Sequence, residues 1–273
     1  MLVSNQVFVL FFNSYSIEKM NLIKYTSLAF IAITALTACK EKTTEAPAKV
    51  TPPTANVDLL FSNEVDGQAL EFGQLKYTNA AGNLYQVDLL KYYVTNVKLM
   101  KADSTFINLE NYDLINAADP STCVVNGLNI PNGTYTKIIF NIGLPVDRNH
   151  TGAQDGDLEP AKGMIWDWNT GYVFFKHEGK YKNSSNQTKS LVFHFATDRA
   201  LTIVEMPLSS PLVVNGVDKK VFLKFNLNKL YTTPSNVDFN VDYDRQSSSN
   251  MDFPWLDNLK LSFYDAFIFD RIE

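Results

Sequence analysis

Apolar residues in this chain recur at every second position, and that spacing constrains the fold more than any other feature. In Tyr135–Ile142, the side chains of Ile138, Phe140 and Ile142 fall on one face. In Val221–Leu227, Val221, Leu223, Phe225 and Leu227 do the same, with lysine and asparagine mostly opposite. Period-two alternation of this kind is the mark of a half-buried antiparallel strand. The punctuation agrees, since Ala81-Gly82-Asn83, Pro131-Asn132-Gly133 and Asn215-Gly216 are turn sequences. Helical spacing appears only near the end, where Leu256, Leu259, Phe263 and Phe267 advance by three or four residues after Pro254. The expected fold is all-β: an antiparallel two-sheet β-sandwich with a short C-terminal helix. No repeat or second domain is visible.

The N-terminus reads as an export signal. From Met20, a short basic stretch ending at Lys24 leads into an apolar run, Tyr25 to Ala35, and then Leu36-Thr-Ala-Cys39, which has the form of a bacterial lipobox. The apolar run is too short to span a bilayer. Residues 1–38 are therefore expected to be a lipoprotein signal peptide, with the true start at Met20 a second option. Residues 39–56 are expected to be a lipidated Cys39 followed by a proline-bearing tether that cannot bury apolar surface. Residues 57–273 are the folded domain. Several acyl chains on Cys39 would anchor the protein stably, placing it in the cell envelope, on the periplasmic or the outward-facing leaflet of the outer membrane. The charged residues just after Cys39 resemble outward-sorting signals of Bacteroidetes lipoproteins.

With Cys39 committed to lipid, Cys123 is the other of two cysteines and has no internal disulfide partner. Stability must come from the apolar core, for which roughly 215 residues are ample. The net charge of −5 argues against nucleic acid as a partner. No Gly-x-Ser-x-Gly elbow, His-Glu-x-x-His, phosphate-cradling loop or Cys-x-x-Cys occurs, so the sequence gives no reason to expect an enzyme.

The residues with ligand chemistry are few. Of the three histidines, His177 shares a strand face with Val173 and Phe175, while Tyr172, Phe174, Lys176 and Glu178 take the other. His194 opposes the face of Leu191, Phe193 and Phe195, and His150 lies in a polar loop. Histidines among aromatics are ordinarily hydrogen-bonded structural residues. Two of the three tryptophans, Trp166 and Trp168, stand two apart within the run 163–179, so an extended backbone would point both indoles one way. Asp155, Asp157 and Glu159 alternate in a way that could offer oxygen ligands to calcium, although the run is too short for an EF-hand and reads first as a solvated acidic loop.

Several segments together resemble the MbnP-like family, copper-binding periplasmic partners of di-haem cytochrome c peroxidase-like proteins. They are Val57–Asn63, Tyr92–Leu99, Asn132–Gly143, the Trp166/Trp168 run and Phe193-His194-Phe195, in order along nearly the whole mature chain. The resemblance implies a copper site built from imidazoles and, in some members, from kynurenine made out of a tryptophan. It points to His194 and Trp166 as ligands, with Trp168 as the fallback. Ile165 stands where copper-binding members often carry histidine, which enlists His150 instead. A second reading from the residues alone is a surface binding or adhesion module, in which Trp166, Trp168 and Tyr172 form an aromatic platform for a glycan or a protein.

Overall fold

The computed structural model describes residues 53–166, 171–232, 234–247 and 252–273. Cys39 and the expected signal peptide lie outside the described residues, as does Trp168. The strands are β1 (Thr54–Val65), β2 (Gln68–Ala69), β3 (Tyr77–Thr78), β4 (Leu84–Lys101), β5 (Phe106–Asn108), β6 (Tyr112–Asn116) and β7 (Val124–Pro131). They continue as β8 (Gly133–Ile142), β9 (Val173–Lys182), β10 (Thr188–Ala196), β11 (Thr202–Val214), β12 (Lys219–Asn226), β13 (Asp244–Arg245) and β14 (Phe267–Ile272). Two helices, α1 (Val146–Asn149) and α2 (Phe253–Ala266), complete the set. The smaller sheet runs β14-β12-β1-β2, with β7 also on β1; the larger runs β11-β8-β4-β9-β10-β13, with β3, β5 and β6 along β4. The all-β two-sheet expectation holds.

Three details differ from the sequence expectation. β1 pairs with β12 in parallel, Val57 facing Lys219 and Glu64 facing Asn226, so the smaller sheet is mixed. β1 begins at Thr54, three residues inside the stretch expected as tether, and Ala55 is already buried. The helix is not terminal: Phe267, which continues the helical spacing of Leu259 and Phe263, turns into β14 and pairs with Phe225 of β12. Without β14 one side of β12 would be a bare edge.

The alternating residues meet between the sheets in an aromatic core. Phe225 lies 4.8 Å from Phe267 and 5.2 Å from Tyr92, and Phe175 packs edge-on against Phe195 and Phe263. Such pairs contribute about 0.5–1.5 kcal/mol each beyond their buried area. Helix α2 adds Trp255, Leu256, Leu259 and Phe263 to this core. Two of the expected turns, at Asn132 and at Asn215-Gly216, do not close hairpins within a sheet. They carry the chain from β7 to β8 and from β11 to β12, and so from one sheet to the other.

β4 sets the rest. Its consecutive residues Tyr92 and Tyr93 are both fully buried, on opposite faces. Tyr92 points into the inter-sheet core and its hydroxyl donates to Asn63 Oδ1 at 3.0 Å. Tyr93 points out of the larger sheet, where its hydroxyl donates to the Asp157 carbonyl at 3.0 Å and its ring meets Tyr172 edge-on. The connection from β8 to β9 is thereby folded back over the sheet's outer face. The β4–β9 register is pinned at Gly179, where a Cβ would lie 2.0 Å from the Gln86 carbonyl oxygen. Gly179→Ala is expected to cost about 3 kcal/mol, because the clash is with backbone that cannot rotate away. Chemical denaturation of the two proteins measures it.

Candidate metal centre

Residues 164–166 pair with residues 171–173 and form a neck on the outer face of the larger sheet. Val173 N–H donates to the Met164 carbonyl at 2.7 Å, Trp166 N–H to the Gly171 carbonyl at 3.4 Å, and Ile165 and Tyr172 face each other in an isolated bridge. Trp166 is partly buried against the core. At Gly171, where φ is +154°, a Cβ would lie 3.1 Å from Asn149 Oδ1. A side chain there would be strained by that φ and would crowd the asparagine by a few tenths of an ångström.

Asn149 ties this neck to the other elements. Its Oδ1 accepts the Tyr172 N–H at 2.8 Å, and its Nδ2 donates to Asp198 Oδ1 at 2.8 Å. The next residue, His150, places Nε2 2.9 Å from Asp198 Oδ2. One carboxylate therefore holds both the last residue of α1 and the residue after it, just past the point where β10 ends. The His150 and Asp198 side chains are each about half exposed.

His194 approaches from the strands. The β9–β10 ladder sets His194 opposite Lys176, and β4 sets Lys91 opposite Lys176 in turn, so the three share the outer face. Lys91 Nζ donates to the Lys162 carbonyl at 3.0 Å and Lys176 Nζ to the Gly163 carbonyl at 3.4 Å, which ties the root of the Trp166 loop to the same row. His194 Nε2 lies 2.8 Å from Glu178 Oε1. Burial lowers the His194 pKa against the upward pull of Glu178. Burial alone would raise Glu178, but the hydrogen bond from His194 and the charge of Lys176 bring its carboxyl below the usual range. Both shifts favour a neutral imidazole donating Nε2–H to an ionised carboxylate. That tautomer leaves the Nδ1 lone pair available, and this buried Nδ1 has no hydrogen-bond partner among the described residues.

His177 is on the wrong side of the sheet to join. It faces Phe193 across the ladder, is fully buried among Tyr85, Phe193 and Tyr231, and shares a hydrogen bond between Nδ1 and the Tyr231 hydroxyl. Burial pushes its pKa down to about 3.

The structure thus places His150 and the Trp166 neck beside Asn149 and Asp198 at the open end of the β9–β10 hairpin, sets His194 in mid-strand beside Glu178, and keeps His177 on the other face. Asp198, Glu178 and Asn149, which orient these residues, were not singled out from sequence. The calcium expectation is not supported. Asp157 Oδ2 accepts the Leu114 N–H at 2.9 Å, and among the described residues no three of His, Cys, Asp and Glu converge as a metal would require. The expected aromatic platform also loses a member. Tyr172 is buried, with its hydroxyl 2.8 Å from the Leu158 carbonyl, so it presents no face to solvent.

A family model described as MbnP matches residues 54–252. Among solved structures, MbnP from Methylosinus trichosporium is similar at 15% identity, with 68% of this chain and 80% of that chain covered and a TM-score of 0.48. No curated protein matches.

Asn149→Ala strands the buried Tyr172 N–H and is expected to cost about 1–3 kcal/mol, with loosening of residues 146–172 visible as faster amide exchange. His177 adds a pH dependence. Its folded pKa is depressed, so between pH 6.5 and about 3 the unfolded chain binds the extra proton and stability falls as pH falls. The loss reaches on the order of 4 kcal/mol across that window. Denaturation midpoints of His177→Gln should fall less steeply with acid than those of the unaltered protein.

Proposed function

Because this chain belongs to the MbnP family, we propose that it is a non-enzymatic copper-binding protein of the cell envelope, held to a membrane by lipid on Cys39. His194 and His150 are the imidazole ligands, and Trp166 is the candidate third donor. The observation that carries this reading is the free, buried Nδ1 of His194 on a ring whose Nε2 is held by Glu178. Imidazoles that bind metal ordinarily give their other nitrogen to a carboxylate, which fixes the ring and raises its basicity. His150 repeats the arrangement with Asp198. Nitrogen donors suit copper in either oxidation state. Of the indole and its oxidation product kynurenine, only kynurenine has an aniline nitrogen to offer. A di-haem cytochrome c peroxidase-like partner would withdraw the four electrons for that conversion at Trp166, with water supplying the oxygen and the indole C2 leaving as formate. Lipid at Cys39 would keep the protein where such partners and exported metal meet.

Calorimetric titration of the purified protein with Cu(I) and Cu(II) is expected to reveal a single site. His194→Ala should abolish it, and Glu178→Gln should weaken it roughly tenfold to a hundredfold by releasing the ring. His177→Gln should leave it unchanged. An isotherm that survives His194→Ala intact would remove that residue, and the reading with it.

A further inference from the structure

The hairpin of β9 and β10 has a second end. The Trp166 neck and Asp198 lie where the hairpin opens; its turn, residues 183–187, lies about 30 Å away, since each strand residue advances roughly 3.3 Å. At the turn end is a cavity of about 440 Å³, lined by Tyr181, Tyr243, Ser184, Lys189, Ser190 and Asp244 among others. We propose that this cavity binds a neutral saccharide.

The shape is preformed. Asn183 closes the turn by accepting the N–H groups of Ser185 and Gln187 at 3.1 and 2.8 Å. Ser184 N–H then donates to Asn240 Oδ1 at 2.9 Å, and Asn240 Nδ2 donates to Asp238 at 2.8 Å. The two walls, the turn and the 238–243 segment, are stitched together before any ligand arrives. Such rigidity lowers the entropic cost of binding.

The chemistry of the lining selects the ligand. The Tyr243 ring is 48% exposed and lies nearly parallel to the buried Tyr181 ring, at 6.4 Å and 26°, which fixes its orientation. A flat, propped aromatic face matches the C–H-bearing face of a pyranose. Around it are the Ser184, Ser190 and Tyr243 hydroxyls, which can both donate and accept, and the accepting carboxylate of Asp244, one oxygen of which is engaged by Gln246. Lys189 and Asp244 bring opposite charges to the lining, so no net charge favours a phosphate or a metal cation. The lining combines an apolar platform with dispersed polar groups, as expected for a polyhydroxylated and uncharged molecule.

An extended peptide would fit less well. β13 covers the outer edge of β10 only at Val192 and Phe193, and Val192 N–H is already taken by the Tyr243 carbonyl. By the alternation of the ladder, Ser190 is the next β10 residue to turn its N–H toward that edge. With Tyr243 blocking one end, too little free edge remains to register an added strand.

A glycan array of neutral gluco-, manno-, galacto-, xylo- and N-acetylglucosamine oligomers, with uronate and sulfated oligomers alongside, followed by calorimetry on any hit, tests this on the purified protein. At least one neutral oligomer should bind saturably. Tyr243→Ala should weaken it about tenfold and Tyr243→Phe should largely retain it. Ser184→Trp, which fills the cavity from an exposed turn, should abolish binding even if Tyr243→Ala fails to fold. An empty array, binding confined to anionic glycans, or a hit indifferent to both Tyr243→Ala and Ser184→Trp overturns the proposal. None of these results depends on copper binding.

Discussion

Asn149 makes the outer face of the larger sheet habitable for a loop. An antiparallel sheet normally leaves one face to water, because an irregular segment laid over it would bury main-chain groups with nowhere to bond. Here the connection from β8 to β9 is laid over it, and side chains take the role that a ladder would play. Asn149 receives the Tyr172 N–H, Tyr93 donates to the Asp157 carbonyl, Tyr172 to the Leu158 carbonyl, and Thr95 to the Gly143 carbonyl. The same amide holds Asp198, and Asp198 holds His150. The placement of His150 and the Trp166 neck therefore follows from one buried asparagine.

Much of the scaffold was legible because it rests on local pattern. Alternation in Tyr135–Ile142 and Val221–Leu227 identifies strands whatever their neighbours are, and the spacing from Leu256 to Phe263 identifies a helix. Pairing was not legible. The parallel match of β1 with β12 joins residues more than 150 positions apart, and no local signal specifies it. Phe267 shows the same limit: its helical spacing is genuine, but an unpaired flank on β12 claims it for a strand.

The site was partly legible for a similar reason. Parity within each strand was enough to set His177 with Val173 and Phe175 and His194 against Leu191, Phe193 and Phe195; the ladder then shows that the two histidines lie on opposite faces. The carboxylates were missed because Glu178 reaches His194 across a strand pair and Asp198 reaches His150 across 48 residues, neither of which a single strand's pattern reveals. Tyr172 misled because, to sequence, a tyrosine beside a tryptophan motif looks the same whether it faces solvent or, as here, is drawn under the loop by Tyr93.

Opposite fates for the two strand histidines rest on a register that is fixed to a single residue. A slip of one position would carry His177 outward and His194 into the aromatic core. The slip is blocked at Gly179, where the Gln86 carbonyl passes too close for any other residue, and the irregularity between Phe195 and Ala196 marks where the ladder must end. Fully buried, His177 is held neutral far below its ordinary pKa, and it serves as a polar filler for the Tyr231 hydroxyl. His194, nearer the surface, is also kept neutral by burial, against the upward pull of Glu178, but it gives one nitrogen to that carboxylate and leaves the other without a partner among the described residues. The same side chain becomes structural or available according to whether its residue number is odd or even, and a glycine sets the count.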